Sequence, residues 1–471
     1  MPNIYGLLTI GQTALLAQQK AIDITGNNIA NVNTPGYSRQ RLNLVQNSPV
    51  RVDNLTMSTG VSALQNIQRF YDGFINSQIN TENESLGRWE AQKSALEKME
   101  LMFDEASGYG LSEAMSEFWN AWQSLSNNPG GYVERIELLS SAQYMTDLFN
   151  QASNNLIAFQ SEIDTNIDNV VDQVNTIAGQ IADLNAQITK VEVNGYNAND
   201  YRDDRDLLVK ELSKLIDIES FEDGQGSLVI SVAGGKPLVE KNAAWSLIAM
   251  DNGGVQDVYW KSSDGTDVNI TDLINDGELK GWISTRDVLI SDYRTQLDEL
   301  AEAIVTGVND LHRNGLTLDS VNPTNVNFFD PAGLTAGAMV VNSDVLANAD
   351  LIAAADGTTV PAESIPGGSG IAIAIAELQN SNQASLGNTT FDDFYNSLVG
   401  SIGHDVSSAD FNFNHQTNML NQLENQRQEI SGVSLDEEMV NLVKFQHAYN
   451  AAAKLITTTD ELMQTVLGLV H

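Results

Sequence analysis

Cysteine is absent from the 471-residue chain, which removes disulfides, thiolate metal sites and cysteine nucleophiles together. Basic residues are scarce: 24 Lys and Arg stand against 62 Asp and Glu, for a net charge of −38. A surface this negative repels phosphate backbones and anionic lipid, which excludes nucleic-acid binding and docking on an anionic membrane. The 5 histidines are scattered (His312, His404, His415, His447, His471), and with no i, i+4 pair they offer no zinc or iron site. No apolar run is long enough to insert across a bilayer. The first basic side chain is Lys20, so the charged opening of a secretory signal is missing. By that rule the chain reads as soluble and cytoplasmic, unless it leaves the cell by a route that reads no cleavable signal. The signatures G-x-S-x-G, H-E-x-x-H and G-x-x-x-x-G-K-[ST] are missing as well. "PGGSGIAIAIAEL" at 366–378 is glycine-rich before a helix but lacks the phosphate-binding lysine. No catalytic residue, metal or cofactor is expected.

What the chain has is helical periodicity, most tellingly at its two ends. Ile4, Leu8, Gly11, Leu15, Gln18, Ile22, Thr25, Ile29 and Val32 alternate steps of four and three, a stripe on one helix face. The stripe stops at Asn33-Thr34-Pro35-Gly36. Pro35 disfavours helix at Thr34, and Pro-Gly suits the central positions of a type II turn. The last segment repeats the pattern with Leu435, Met439, Leu442, Gln446, Tyr449, Ala453, Ile456, Asp460, Met463, Leu467 and Val470. Ser434 can cap it, with Glu437 completing a capping box. A single seamed helix of about 30 residues is marginal in water without a partner. The matching length and seam predict that the two ends pair, antiparallel or crossing, with Leu15, Ile22 and Ile29 on Leu442, Tyr449 and Ile456 or on their copies in neighbouring subunits. Asn27 and Asn31 share a face, where amides can bond across a contact without charge; as the bland alternative they are capping and solvated residues.

Between the ends, helix is expected over about Leu64–Phe103, Leu111–Ser126, Tyr201–Ile218, Ser284–Arg313, Ile371–Gln379 and Phe391–Ile430 by apolar periodicity. Residues 38–62 read as extended and 315–369 as loops with short strands. Ile163, Ile167, Val170, Val174, Ile177, Ile181, Leu184, Ile188 and Val191 form an unbroken heptad stripe, a coiled-coil signal. "GSLVISVAGGKPLVE", "MDNGGVQDVYW" and "SSDGTDVNI" carry alternation and hairpin turns, so 219–283 reads as a small inserted β domain. "RDDRD" at 202–206 reads as a solvated i, i+4 salt bridge between Arg202 and Asp206. The fold class is mainly α, a long coiled-coil bundle with paired terminal helices and an inserted β domain. Three domains follow: 1–36 with 432–471; 37–218 with 284–431; and 219–283.

"AIDITGNNIANVNTPGYSRQ" resembles the N-terminal signature of bacterial flagellar axial proteins, the rod, hook and hook-associated families. "SGVSLDEEMVNLVKFQHAYNAAAKLITTTDELMQTVLGL" resembles their C-terminal signature. "GLSEAMSEFWNAWQSLSNNPGGYVERIELLSSA", "YRDDRDLLVKELSKLIDI", "GELKGWISTRD" and "VNDLHRNG" are similar to blocks of the hook-associated protein one (FlgK) family of the hook-filament junction. The resemblance implies a structural protein, exported unfolded by the flagellar type III route without a cleaved signal and therefore extracellular. It implies assembly at the hook tip, with the terminal helices forming an inner tube around the export channel, the long helices a second layer, and the β domain facing outward. Its partners would be copies of itself, the hook protein, the filament-side junction protein, and an export chaperone on the C-terminal helix. On that reading the interface comprises Ile4, Leu8, Leu15, Ile22, Asn27, Ile29, Asn31, Leu435, Met439, Leu442, Tyr449, Ile456, Met463 and Leu467, with Asn33, Thr34, Pro35 and Gly36 as hinge. A sister axial protein (filament-side junction, hook or rod) and a surface binding module are the alternatives.

Overall fold

A computed structural model describes residues 2–46, 50–52, 55–57, 60–62, 67–103, 110–262, 265–318, 325–356 and 367–468. The helices are α1 (Pro2–Ala30), α2 (Gly73–Met102), α3 (Leu111–Asn127), α4 (Tyr132–Glu192), α5 (Asn199–Leu215), α6 (Gly277–Ser284), α7 (Ile290–His312), α8 (Ser343–Ala347), α9 (Gly370–Glu377), α10 (Phe391–Ser431) and α11 (Leu435–Gly468). The chain is mainly helical with a small inserted sheet region.

Local chemistry sets most boundaries. Asp72 caps α2 by accepting from Phe74 and Ile75 N–H, so this helix starts at Gly73 rather than near Leu64. The residues before it, Ile67–Arg69, instead form a strand antiparallel to Gln40–Leu42. "NNPGG" separates α3 from α4 as the turn residues require. The helix expected from Ser284 begins seven residues earlier, at Gly277, and passes through a π turn at Thr285–Leu289 into α7. That turn holds Arg286 fully buried, bonded to Asp164 (2.7 Å), Asp287 (2.7 Å) and the Gln256 carbonyl (2.6 Å).

The heptad stripe on α4 is buried at Ile163, Ile167, Val170, Val174, Ile181 and Ile188. What covers its second half is largely sheet, with α5 beside it. Strands Glu219–Glu222, Leu228–Val232, Lys236–Glu240 and Ala243–Ala244 form a four-stranded antiparallel sheet; Leu247–Asp251, Gln256–Lys261 and Asp267–Asn269 form a three-stranded one. Two α4 asparagines pin them. The Asn175 amide donates to Leu247 O (2.8 Å) and accepts from its N–H (2.7 Å), and Asn185 does the same for Leu228 (2.8 and 3.0 Å). A heptad period thus marked the buried face correctly, and inserted strands took much of the place of a partner helix.

The core lies where α3, α4, α7 and α9 converge with the start of α10. Trp119 stacks on Phe391 at 5.4 Å, and Trp122 tilts against Phe328 at 5.1 Å. Beside them His312 is fully buried. Its Nε2 accepts from Ala353 N–H (2.9 Å), so Nδ1 carries the proton and donates to Val326 O (2.8 Å). Burial pushes this imidazole down to about 4, because a charged ring would lose water and one of its two bonds. An unfolded histidine titrates near the ordinary 6.5, so the stabilisation is complete above that pH and drains away as pH falls towards 4, to a total of about 3 kcal/mol. Denaturant titrations at pH 7.5 and pH 4.5 should therefore show a steeper acid loss for the natural chain than for His312→Gln. Equal slopes would overturn this assignment.

α2 and α10 leave the core as a long antiparallel pair with little apolar contact, chiefly Ile75, Ile79 and Leu420, flanked by Leu86 and Leu423. Polar links do the rest: Lys93 to Asp410 (2.5 Å), Gln416 to Glu82 (2.9 Å), and Lys210 of α5 to Glu424. This pair carries the core out to the chain termini. In the 315–369 stretch, Gly315–Leu316 pairs with Ala355–Asp356, and 319–324 and 357–366 lie outside the described residues.

Candidate assembly interface at the paired termini

α1 and α11 pack along their lengths, antiparallel. Asn28, near the end of α1, meets Glu438 in the first turn of α11, and Gly11 lies beneath Ile456. The buried line on α1 is made of small and polar residues: Gly11, Ala17, Ala21, Thr25 and Asn28, with Ile24. On α11 it is Glu438, Ala452 and Thr459. A side chain at position 11 would place its Cβ 2.8 Å from Ile456 Cγ1, so the helices approach closely there.

The stripes read from the sequence share Gly11 and Thr25 with this line and otherwise lie beside it. Leu8, Leu15, Ile22, Ile29, Leu442, Tyr449, Ile456 and Met463 are half-buried flanks. Leu435 (48%), Met439 (53%) and Leu467 (66%) are exposed. The Ile4 side chain and Val470 lie outside the described residues. Leu16 and Val443 add to the uncovered apolar surface. A helix pair that buries alanine and threonine while showing leucine and methionine to solvent has more apolar surface than one chain covers.

After α1 the chain makes the expected type II turn: Tyr37 N–H donates to Thr34 O (3.3 Å) and Gly36 takes φ +80°, open to glycine at little cost. Asn31 donates to Asn27 Oδ1 (2.8 Å) and accepts from Thr34 Oγ1 (3.1 Å), so both amides are engaged locally at the surface. The central asparagine is Asn28. It donates to Gln40 O (2.9 Å) and Glu438 Oε2 (3.0 Å) and accepts from Tyr37 OH (2.9 Å) and Gln40 N–H (3.0 Å). All four hydrogen-bonding positions of its amide are filled. Arg39 closes the knot on Glu438 (2.7 Å) and Glu437 (2.7 Å), while its backbone N–H donates to Ser431 O (2.8 Å). Burial and the carboxylates of Asp200, Asp203 and Glu438 push the Tyr37 hydroxyl up, keeping it a donor. Ser434 does cap α11, through a long 3.5 Å bond to Glu437 N–H, but the Glu437 carboxylate goes to Arg39 instead of closing a capping box.

The "RDDRD" run is the other half of this joint, and its reading as a solvated Arg202–Asp206 pair is corrected. Arg202 binds Glu192 and Glu222. Asp203 and Asp206 both hold Arg69 (2.8 and 2.6 Å), and Asp203 also accepts from Ser38 N–H (2.9 Å). Arg205 is buried against Asn185 Oδ1 and Gly226 O. The spacing along α5 turns Asp203 towards the hinge segment and Arg205 towards the sheet, which a one-helix view of the run does not show. Asn28, Arg39, Asp203 and Glu438 were all visible as residue types, but the signal that singles them out is each other. Among the described residues no group of three or more His, Cys, Asp or Glu could hold a metal ion.

Known proteins resemble this chain in sequence and fold. The profile of the flagellar hook-associated protein FlgK helical domain matches residues 96–329. Profiles of the flagellar basal body rod FlgEFG protein C-terminal region and of the flagella basal body rod protein match 424–469 and 8–37. Flagellar hook-associated protein 1 of Bacillus subtilis is 31% identical over 519 residues, spanning 99% of both chains. Its counterpart in Salmonella typhimurium is 27% identical, spanning 98% of this chain and 99% of that one. The solved flagellar hook junction protein FlgK from Burkholderia pseudomallei has the same fold, with a TM-score of 0.64 at 15% identity over 75% of this chain and 100% of that one. The chain belongs to the flagellar hook-associated protein 1 family, and is a structural protein of the flagellar hook–filament junction.

Proposed function

We propose that copies of this chain assemble at the hook tip, where α1 and α11 line the export channel, the α2–α10 pair and the core form the next layer, and residues 219–283 face outward. The observation that carries this reading is the α1–α11 pair, whose exposed Leu16, Leu435, Met439, Val443 and Leu467 leave apolar surface for neighbouring copies to cover. The turn at Asn33–Gly36 then acts as the hinge between layers. The hook protein and the filament-side junction protein sit above and below. The chain travels unfolded through the flagellar type III route, with a chaperone shielding the amphipathic α11 until export. No chemistry is assigned to it. The helical-domain match at 96–329 favours this family over rod and hook subunits, whose profiles match the two ends alone.

A strain lacking the gene should build hooks without filaments and shed filament subunit into the medium, as seen by electron microscopy and by assay of the culture fluid. Complementation with Leu442→Asp, a charge on the half-buried flank of the pair, should leave that defect in place while the secreted variant keeps its helical circular dichroism. Normal filaments in the deletion strain would sink the junction role. Normal filaments with Leu442→Asp would remove that flank from the interface.

A further inference from the structure

The back of α1 forms one wall of an open cleft of about 830 Å³, whose other wall is the α4–α5 turn and the start of α5. Lys20, Asp23, Gly26 and Asn27 line it from α1, and Asp200, Tyr201 and Asp204 from the opposite side, so three carboxylates face one ammonium. Asp23 points away from α11, because Ala21, Ile24, Thr25 and Asn28 occupy the face that α11 covers. Asp23 and Asp204 are exposed and have no ion-pair partner among the described residues. Tyr201 and Gly26 are exposed as well, so the cleft combines a ring, a bare stretch of helix and negative charge in excess of the one cation, Lys20.

The complementary surface is on α11. This helix carries two cations, Lys444 and Lys454, both exposed and both without an ion-pair partner among the described residues. Ten positions separate them, about 15 Å along the helix and less than a quarter-turn around it. They share that side with the exposed Ala451 and Leu455, and Leu462 follows. In a chain with 62 acidic and 24 basic residues, two lysines left bare beside exposed leucines are an unusual surface.

We infer that the α1–α5 cleft of one copy receives the Lys444–Lys454 face of α11 from a neighbouring copy, with the lysines meeting Asp23 and Asp204 and the Leu455 side covering the Tyr201 wall. The inference rests on the self-assembly reading and adds to it which surfaces meet. Within one chain the contact is impossible, since Asp23 lies on the far side of α1 from α11. Cleft and helix are different surfaces, so the contact is head-to-tail and propagates from copy to copy into a ring or a helical array. The short lining residues at Gly26 and Ala30 leave room for side chains of one helix face, and the acidic walls select a cationic face over the rest of this acidic molecule.

The test uses two charge-reversed full-length proteins: Lys444→Glu with Lys454→Glu, and Asp23→Lys with Asp204→Lys. Self-association is followed by sedimentation and light scattering over a concentration series at low ionic strength, with circular dichroism confirming that each variant is folded. Each variant alone should associate at least about tenfold more weakly than the natural chain, since like charges then face each other at every contact. An equal mixture should recover association, because the reversed helix fits the reversed cleft and the natural helix fits the natural cleft. Variants that associate as the natural chain does, or a folded mixture that recovers nothing, would overturn this contact and leave the self-assembly reading standing. A natural chain that stays monomeric throughout would overturn both.

Discussion

Glu438→Ala should detach the terminal helix pair from the rest of the molecule without unfolding the core. The Glu438 carboxylate is almost completely buried and binds both Asn28 Nδ2 and Arg39. Its removal leaves Arg39 with the exposed Glu437 alone and opens one of the Asn28 bonds in a dry setting. Breaking a buried pair from one side costs about 3–5 kcal/mol. The α1–α11 seam has little apolar burial to set against that loss, being built on Gly11, Ala17, Ala21, Thr25, Ala452 and Thr459. Hydrogen exchange should therefore show α1 and α11 losing protection by orders of magnitude, while α3, α4 and α7 keep theirs. Glu438→Gln, which retains an acceptor for Asn28 but not the charge for Arg39, should fall between. Unchanged exchange in α1 for Glu438→Ala would show that the knot does not hold the pair.

The second large effect comes from a single methyl group. Gly87 of α2 sits where α5 and α6 cross it, and a Cβ there would stand 1.9 Å from Lys214 O and 3.1 Å from Glu278 N. Both are backbone atoms, so no rotamer relieves the clash and the helices must separate. Gly87→Ala should lower stability by about 2–3 kcal/mol, although alanine improves helix propensity by about 1 kcal/mol. Gly179→Ala on α4 supplies the opposite sign. Nothing lies within 4 Å of its added Cβ, and propensity alone should raise stability by up to about 1 kcal/mol. Denaturant midpoints of the two variants against the natural chain decide the matter. A neutral or stabilising Gly87→Ala would mean that α2, α5 and α6 are not locked at this crossing.

Much of this architecture is legible in the residues alone, for reasons that also explain the misses. Pro35-Gly36, "NNPGG" and Asp72 act over three or four residues, so turns and caps show in the local sequence. The Asp72 cap was overlooked because the apolar positions before it mimic a helical period, and the Asp276 cap of α6 was overlooked as well. The α4 stripe gives a face, but periodicity carries no information about what covers it. The terminal stripes met the true contact at Gly11 and Thr25 and otherwise ran to one side of it, because large apolar residues were weighted and Ala17, Ala21, Ala452 and Thr459 were not. Those small residues are informative only once two helices are known to touch. Asn28 stands between Asn27 and Asn31, and what separates the buried amide from its exposed neighbours is its contact with Tyr37, Gln40 and, 410 positions away, Glu438.

That separation has a kinetic side. Bringing Asn28 to Glu438 in a free chain would mean closing a loop of very high contact order, a slow event. The body changes the problem. Once α2–α10 has formed and Asp203 has taken the Ser38 N–H, Arg39 lies on Ser431, and the two stumps emerge side by side. A search across the whole chain then becomes the zipping of two helices already held at one end. The fold of the body thereby offers a template on which the ends are expected to close last. Until they do, the apolar surface of α11 stays available to whatever meets it first.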